Sequence, residues 1–222
     1  MLHKTRGIVF RFTKYGETSI IVNIFTELFG IQSYIVNGVR SKSSKNKIAL
    51  YQPLTLLDLV VYYRDNANIK RIKEIKCLHP YQSLATDVRK SSIAMFINEI
   101  LNKTVKEEAH AHELCNFLID SLIALDLQKS NTENFHLIFM LKLSRYLGFG
   151  AQYANEVLGG RFAGEEIEKI IRQLLKAEYD EPVAMTLPQR REVLELLVKY
   201  YLEHMDTIGE LKSMQVLREI MG

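Results

Sequence analysis

Thr18-Ser19-Ile20-Ile21-Val22-Asn23-Ile24-Phe25-Thr26 is the stretch that decides how the front of this chain folds. It is filled with β-branched residues and lies between two turn signals, Tyr15-Gly16 and Gly30, which suits a strand. Working outward, the runs GIVFRFT from Gly7, IQSYIVN from Ile31, LTLLDLVVYY from Leu54 and IKRIKEIKC from Ile69 have the same character. They predict five strands within roughly seventy residues. An open sheet that narrow covers a core poorly, so closure into a small barrel of the OB-fold type is the economical arrangement. An SH3-like barrel fits the pattern almost as well.

After His79-Pro80 the apolar period becomes helical. Ile93, Phe96, Ile97, Ile100, Leu101 and Val105 form one stripe, and Leu114, Phe117, Leu118, Leu122 and Leu125 form another. The segment from Phe135 to Leu141 is apolar nearly all round and ends at Gly148, which predicts the central helix of a bundle. Residues 149–164 hold four glycines and no period, and read as an irregular connection. Three further helices are expected: one on Ile167, Ile170, Ile171, Leu174 and Leu175, a second starting at Thr186-Leu187-Pro188, and a third on Ile208, Leu211, Met214 and Leu217. The expected class is therefore α+β in two domains: a five-stranded barrel over residues 1–80 and an all-α domain over 81–222.

Hydrophobic residues make up 47% of the 222-residue chain and charged residues 25%, which excludes a disordered tail protein. No apolar run approaches the roughly eighteen residues needed to span a bilayer. The opening residues intersperse Lys4, Arg6, Arg11 and Lys14 among apolar positions, unlike a secretory signal, so a cytoplasmic location is expected. Two cysteines, Cys77 and Cys115, are too few for a disulfide framework and read as buried apolar side chains.

The net charge of +3 conceals an asymmetry. Residues 1–80 carry thirteen lysines and arginines against five acids, while residues 81–222 carry sixteen against twenty-one. A front part at +8 and a rear part at −5 point to a basic module that attracts a polyanion. The sharpest local feature is the acid-free loop holding Arg40, Lys42, Lys45 and Lys47 among small polar spacers, suited to following a phosphate chain. Arg11, Lys14, Arg64, Lys70 and Arg71 extend this set along the predicted strands. Of the interleaved aromatics, most are expected in the core, and Tyr15 and Tyr34 are the candidates for stacking on bases.

Catalysis has no visible carrier: the chain has no glycine-rich phosphate loop, no nucleophile elbow and no paired carboxylates at useful spacing. His110-x-His112-x-x-Cys115 is a weak metal candidate, because in a helix positions 110 and 112 point about 200° apart. Only two ligands remain on one face, and no metal or other cofactor is expected.

Taken in order, several segments resemble the RecO family of bacterial recombination mediators. They are Thr5-Arg6-Gly7-Ile8-Val9, Tyr15-Gly16-Glu17-Thr18-Ser19-Ile20-Ile21, Phe25-Thr26-Glu27-Leu28-Phe29-Gly30, Gly38-Val39-Arg40 and Pro53-Leu54. In the rear part Asn134-Phe135-His136, Arg145-Tyr146-Leu147-Gly148-Phe149 and Lys212-Ser213-Met214-Gln215-Val216-Leu217-Arg218-Glu219 continue the likeness. The resemblance implies an N-terminal OB-fold, a helical C-terminal domain and a non-enzymatic role. That role is to bind single- and double-stranded DNA, anneal complementary strands and, with RecR, help RecA load where single-strand-binding protein (SSB) coats the DNA. It also implies that the helical part receives the acidic C-terminal tail of SSB, for which Lys142 and Arg145 are the candidate cations. Many members carry a four-cysteine zinc element after the Leu-Gly-Phe segment; residues 150–164 here contain no cysteine, so zinc is not carried over. The rival readings are an OB-fold RNA-binding or translation accessory protein and a protein-interaction scaffold.

Overall fold

The computed structural model describes residues 1–41, 47–63, 67–106 and 111–220. Five strands, β1 (Leu2–Tyr15), β2 (Ser19–Thr26), β3 (Gly30–Val36), β4 (Leu56–Tyr62) and β5 (Ile69–Cys77), close in the order β1-β2-β3-β5-β4. All pairs are antiparallel except β3 with β5, which is parallel. This is the expected OB-type barrel.

Closure depends on the length of β1. Its first half pairs with β4, from Leu2↔Tyr62 to Ile8↔Leu56, and its second half with β2, from Gly7↔Thr26 to Tyr15↔Ser19. Where the two halves meet, Gly7 faces both neighbours, and a Cβ there would come within 2.7 Å of Ile24 Cγ2. A bulge at Phe10 follows, bending the strand from one sheet wall into the other. Inside, Val9, Ile20, Val22, Ile24, Tyr34, Leu57, Leu59 and Val61 form the core at the period of two that strands dictate.

The chain divides into two compact units, Met1–Tyr81 with Lys106–Ile123, and Gln82–Val105 with Ala124–Gly222. The first unit's leading segment ends beside the expected boundary at residue 80, and the unit also takes in the early part of helix α2 (Ala111–Leu127). Within it Glu27 accepts two hydrogen bonds from the Arg6 guanidinium, at 2.7 and 2.9 Å, and lies 2.9 Å from His112 Nδ1 on α2. Arg6 also donates to Asn116 Oδ1.

The second unit contains α1 (Val88–Thr104), α3 (Phe135–Tyr146), α4 (Ala154–Leu158), α5 (Gly164–Leu174), α6 (Leu187–His204) and α7 (Ser213–Ile220). The all-round apolar α3 is buried along most of its length and packs against α1, α5 and α6. Thr186 caps α6 as expected, with Gln189 completing a reciprocal capping box. Buried Asp126 accepts N–H bonds from Gln82, Ser83 and Leu84, and the buried Lys90 amine donates to Asp126 O at 2.6 Å.

Three expectations are corrected. Residues 149–164 are not irregular throughout: α4 forms there because Val157 and Leu158 are buried, Glu156 accepts the Gln152 and Tyr153 N–H groups, and left-handed Gly159 stops the helix. The last helix starts only at Ser213, because the Glu99 carboxylate accepts the Lys212 and Ser213 N–H groups, leaving Ile208 and Leu211 buried ahead of it. Cys77, the last residue of β5, is exposed rather than buried.

The Arg6 hydrogen bonds, aided by Arg6 and His112 charge, hold the Glu27 carboxyl below its ordinary value of 4.5. A carboxyl depressed in the folded state stabilises above its ordinary value, and that contribution is lost as pH falls through the lowered one. Glu27→Gln is expected to cost about 1–2 kcal/mol at pH 7 and to flatten the stability loss below pH 4.5, read by urea unfolding across pH.

Candidate nucleic-acid interface

Strand alternation sorts the barrel's cations by what each can reach. On the outward face two rows cross the sheet in register. One is Arg11–Asn23–Ser33–Ile69, and the next is Thr13–Ile21–Ile35–Arg71–Tyr62, running over β1, β2, β3, β5 and β4. Arg11 on β1 and Arg71 on β5 flank this surface in adjacent rows, with β2 and β3 between them. Between them lie Ile21 and Ile35, and Ser33 Oγ donates to Asn23 Oδ1 at 3.2 Å. The floor is apolar and polar without an acid, and its margins are cationic.

At the β1–β2 hairpin, Lys14 is exposed and the Tyr15 ring is 53% exposed. Gly16 takes a positive φ of 57°, the conformation that lets the turn close in so few residues. Arg40 is brought to the same hairpin: its guanidinium donates to Gly16 O at 3.1 Å, so part of its bonding capacity holds the turn. Lys47 is exposed just before a short 3-10 turn at Ile48–Tyr51. Among the described residues none of Arg11, Lys14, Lys47 and Arg71 has an acidic partner. Elsewhere on the barrel cations are paired with acids: Lys4 lies 3.5 Å from Asp58, Lys73 3.9 Å from Glu74, and Arg6 on Glu27.

Two of the candidates are corrected. Tyr34 is wholly inside the barrel, since its parity is that of Val22 and Ile20; it cannot stack on a base. Burial pushes its phenol above the ordinary value, and its hydroxyl has no partner among the described residues. Lys70 is also turned in: its amine donates to Gln32 Oε1 at 2.6 Å and Ala67 O at 3.0 Å, and lies 4.9 Å from the Tyr63 ring centre. Lys42, Lys45 and Arg64 lie outside the described residues, as does His110.

Sequence reasoning missed Ile21, Ile35 and Ile69 as parts of this surface, and counted Tyr62 among the interleaved aromatics of which most were expected in the core. Two adjacent isoleucines at 20 and 21 already imply that one faces outward, but which strands it lines up with follows only from register. Of the metal candidates, Cys115 is buried, which pushes its thiol up to about 12, and His112 Nδ1 lies 2.9 Å from Glu27. Among the described residues no group of three metal-binding side chains occurs.

In the helical unit Lys142 is paired with Glu178 at 2.8 Å, beside the Tyr179 ring. Arg145 is exposed and donates to Leu175 O at the end of α5. They are one turn apart on α3, yet each is already engaged by the segment that follows α5.

Two family descriptions match in chain order: Recombination protein O N terminal over residues 1–81 and Recombination protein O C terminal over residues 85–167. The chain belongs to the RecO family. Curated relatives named DNA repair protein RecO include those of Bacteroides fragilis and Flavobacterium psychrophilum, each 35% identical over 99% of both chains. That of Phocaeicola vulgatus is 34% identical over the full length of both. The barrel and the start of the helical unit are therefore the two RecO portions, and the shared length leaves no large segment of these relatives unmatched. No helix among the described residues is long and apolar enough to cross a membrane.

The buried, unpartnered hydroxyl makes Tyr34 a test of the inward assignment. Tyr34→Phe is expected to leave oligonucleotide affinity unchanged and to stabilise the fold by up to about 1 kcal/mol, because an unsatisfied buried polar group is removed. Thermal unfolding and a binding titration on the same variant check both parts.

Proposed function

We propose that this chain acts in DNA repair as a non-catalytic mediator that binds DNA through the outward β1–β2–β3–β5 face of its barrel and anneals complementary strands. The observation that carries this reading is the set of cations without an acidic partner among the described residues, Arg11 and Arg71 on that face with Lys14 at the β1–β2 hairpin and Lys47 after β3, while Lys4, Arg6 and Lys73 are paired with acids. Membership of a family whose curated relatives are named for DNA repair supports it.

The mechanism follows from charge. Two complementary strands repel through their phosphates; a cationic surface that displaces counterions from one strand lowers the cost of bringing up the second. No covalent bond has to be made or broken. Exposed lysines and arginines hold a strand loosely, so the duplex formed is released rather than trapped.

Partners are proposed on the family's terms: single- and double-stranded DNA, RecR, RecA indirectly, and the acidic tail of single-strand-binding protein on the helical unit. For that tail, Lys142 would have to give up Glu178, whereas Arg145 is exposed and has donors beyond its bond to Leu175 O. Arg145 is the better-placed of the two.

Replacing Arg11, Lys14 and Arg71 together by glutamate is expected to weaken single-strand binding by at least about tenfold. The same triple variant should reduce the salt slope of log affinity by about two, at roughly 0.7 per lost phosphate contact. Annealing of complementary strands, bare or coated with single-strand-binding protein, should slow in parallel, while the circular dichroism spectrum stays that of the parent. Parent-like affinity in the folded variant would move DNA binding off this face, and tighter binding of a structured RNA competitor would favour the RNA reading.

A further inference from the structure

A groove of about 440 Å³ on the barrel is lined by Tyr62, Ala67, Ile69, Lys70 and Arg71. It lies at the end of the second outward row, where Arg71 is paired in register with Ile35 on one side and Tyr62 on the other. Tyr62 and Ile69 are each 46% exposed, although Val61 and Tyr34, next in register, are completely buried. Two large apolar groups thus stand open beside an exposed guanidinium that has no acidic partner among the described residues.

The wall of this groove is built rather than incidental. Lys70 is only 9% exposed, and its amine is held by Gln32 Oε1, Ala67 O and the Tyr63 ring, which fixes the Ala67 backbone and the start of β5. With the amine bonded to these groups, the groove also presents the Tyr62 ring, the Ile69 side chain and the Arg71 guanidinium.

We propose that this groove is a subsite for one unpaired nucleobase of a single strand, its ring against Tyr62 and Ile69 and its phosphate at Arg71. The inference rests on the DNA-binding reading above and deepens it. A phosphate chain alone is satisfied by cations and gains nothing from exposed Tyr62 and Ile69, whereas a base gains from both, because every base has a stacking face. A paired base reaches such a groove only by leaving its helix, so the subsite favours single strands over duplex. Annealing then empties it: once the held base pairs with the incoming strand it withdraws, and the duplex keeps only its phosphate contacts. The subsite couples pairing to release.

The test compares an oligonucleotide single strand, a strand of equal length made of abasic sites, and the blunt duplex, each titrated by fluorescence anisotropy. The parent protein is expected to bind the single strand at least about fivefold tighter than the abasic strand. Tyr62→Ala should lower single-strand affinity about five- to tenfold, change abasic-strand and duplex affinity less than about twofold, and be rescued by Tyr62→Phe. Should Tyr62→Ala fail to fold, Tyr62→Leu keeps bulk without the ring and is expected to show the same selective loss. Equal loss on all three ligands, or no loss on any, overturns the subsite. Parent protein that binds none of them overturns DNA binding itself, whereas parent binding with an unaffected Tyr62→Ala removes only the subsite.

Discussion

Barrel closure through β1 is the constraint on which the rest depends. One strand of fourteen residues supplies both the first and the last seam, pairing with β2 and with β4. A strand can serve two walls only if it bends, and the bend needs a residue without a side chain where the walls converge. Gly7 provides it, with the Phe10 bulge completing the turn. Closure removes sheet edges and buries the inward residues of β2 and β4 on a common core. It also fixes parity for every outward side chain, so the surface inherits its order from the seam.

That parity separates charges that had looked equivalent. Lys70 and Arg71 are adjacent, yet one is a buried strut bonded to Gln32 and the other an open cation. Arg6 and Arg11 lie on the same strand, but Arg6 is consumed by Glu27 and Asn116. Surface ion pairs contribute little to stability, so the pairs Lys4–Asp58 and Lys73–Glu74 matter more for neutralising one side of the barrel than for holding it together. The outward β1–β2–β3–β5 face is left with Arg11 and Arg71, cations that have no acidic partner among the described residues.

In the helical unit, carboxylates that accept backbone N–H groups act as fasteners. Asp126 satisfies three backbone N–H groups at residues 82–84, and Glu99 satisfies the start of α7. Each joins segments far apart in sequence, where an unsatisfied donor would be costly. The segment around α4 is ordered by the same means, with Glu156 on two N–H groups and Val157 in the core. Backbone capping and apolar burial, with no thiolate in the segment, give it a defined shape.

Five strands, the switch to helical period after residue 80, the cap at Thr186 and the charge asymmetry were all legible in the sequence, because alternation, capping and composition are local properties. They determined the fold class and that the basic surface belongs to the barrel. Which cations face outward without a partner, that Tyr34 is core and that Tyr62 lies beside Arg71 were decided by tertiary structure alone. The reason is physical: a strand's two faces are equivalent until its neighbours and their register are set, and register arises from pairings between residues tens of positions apart.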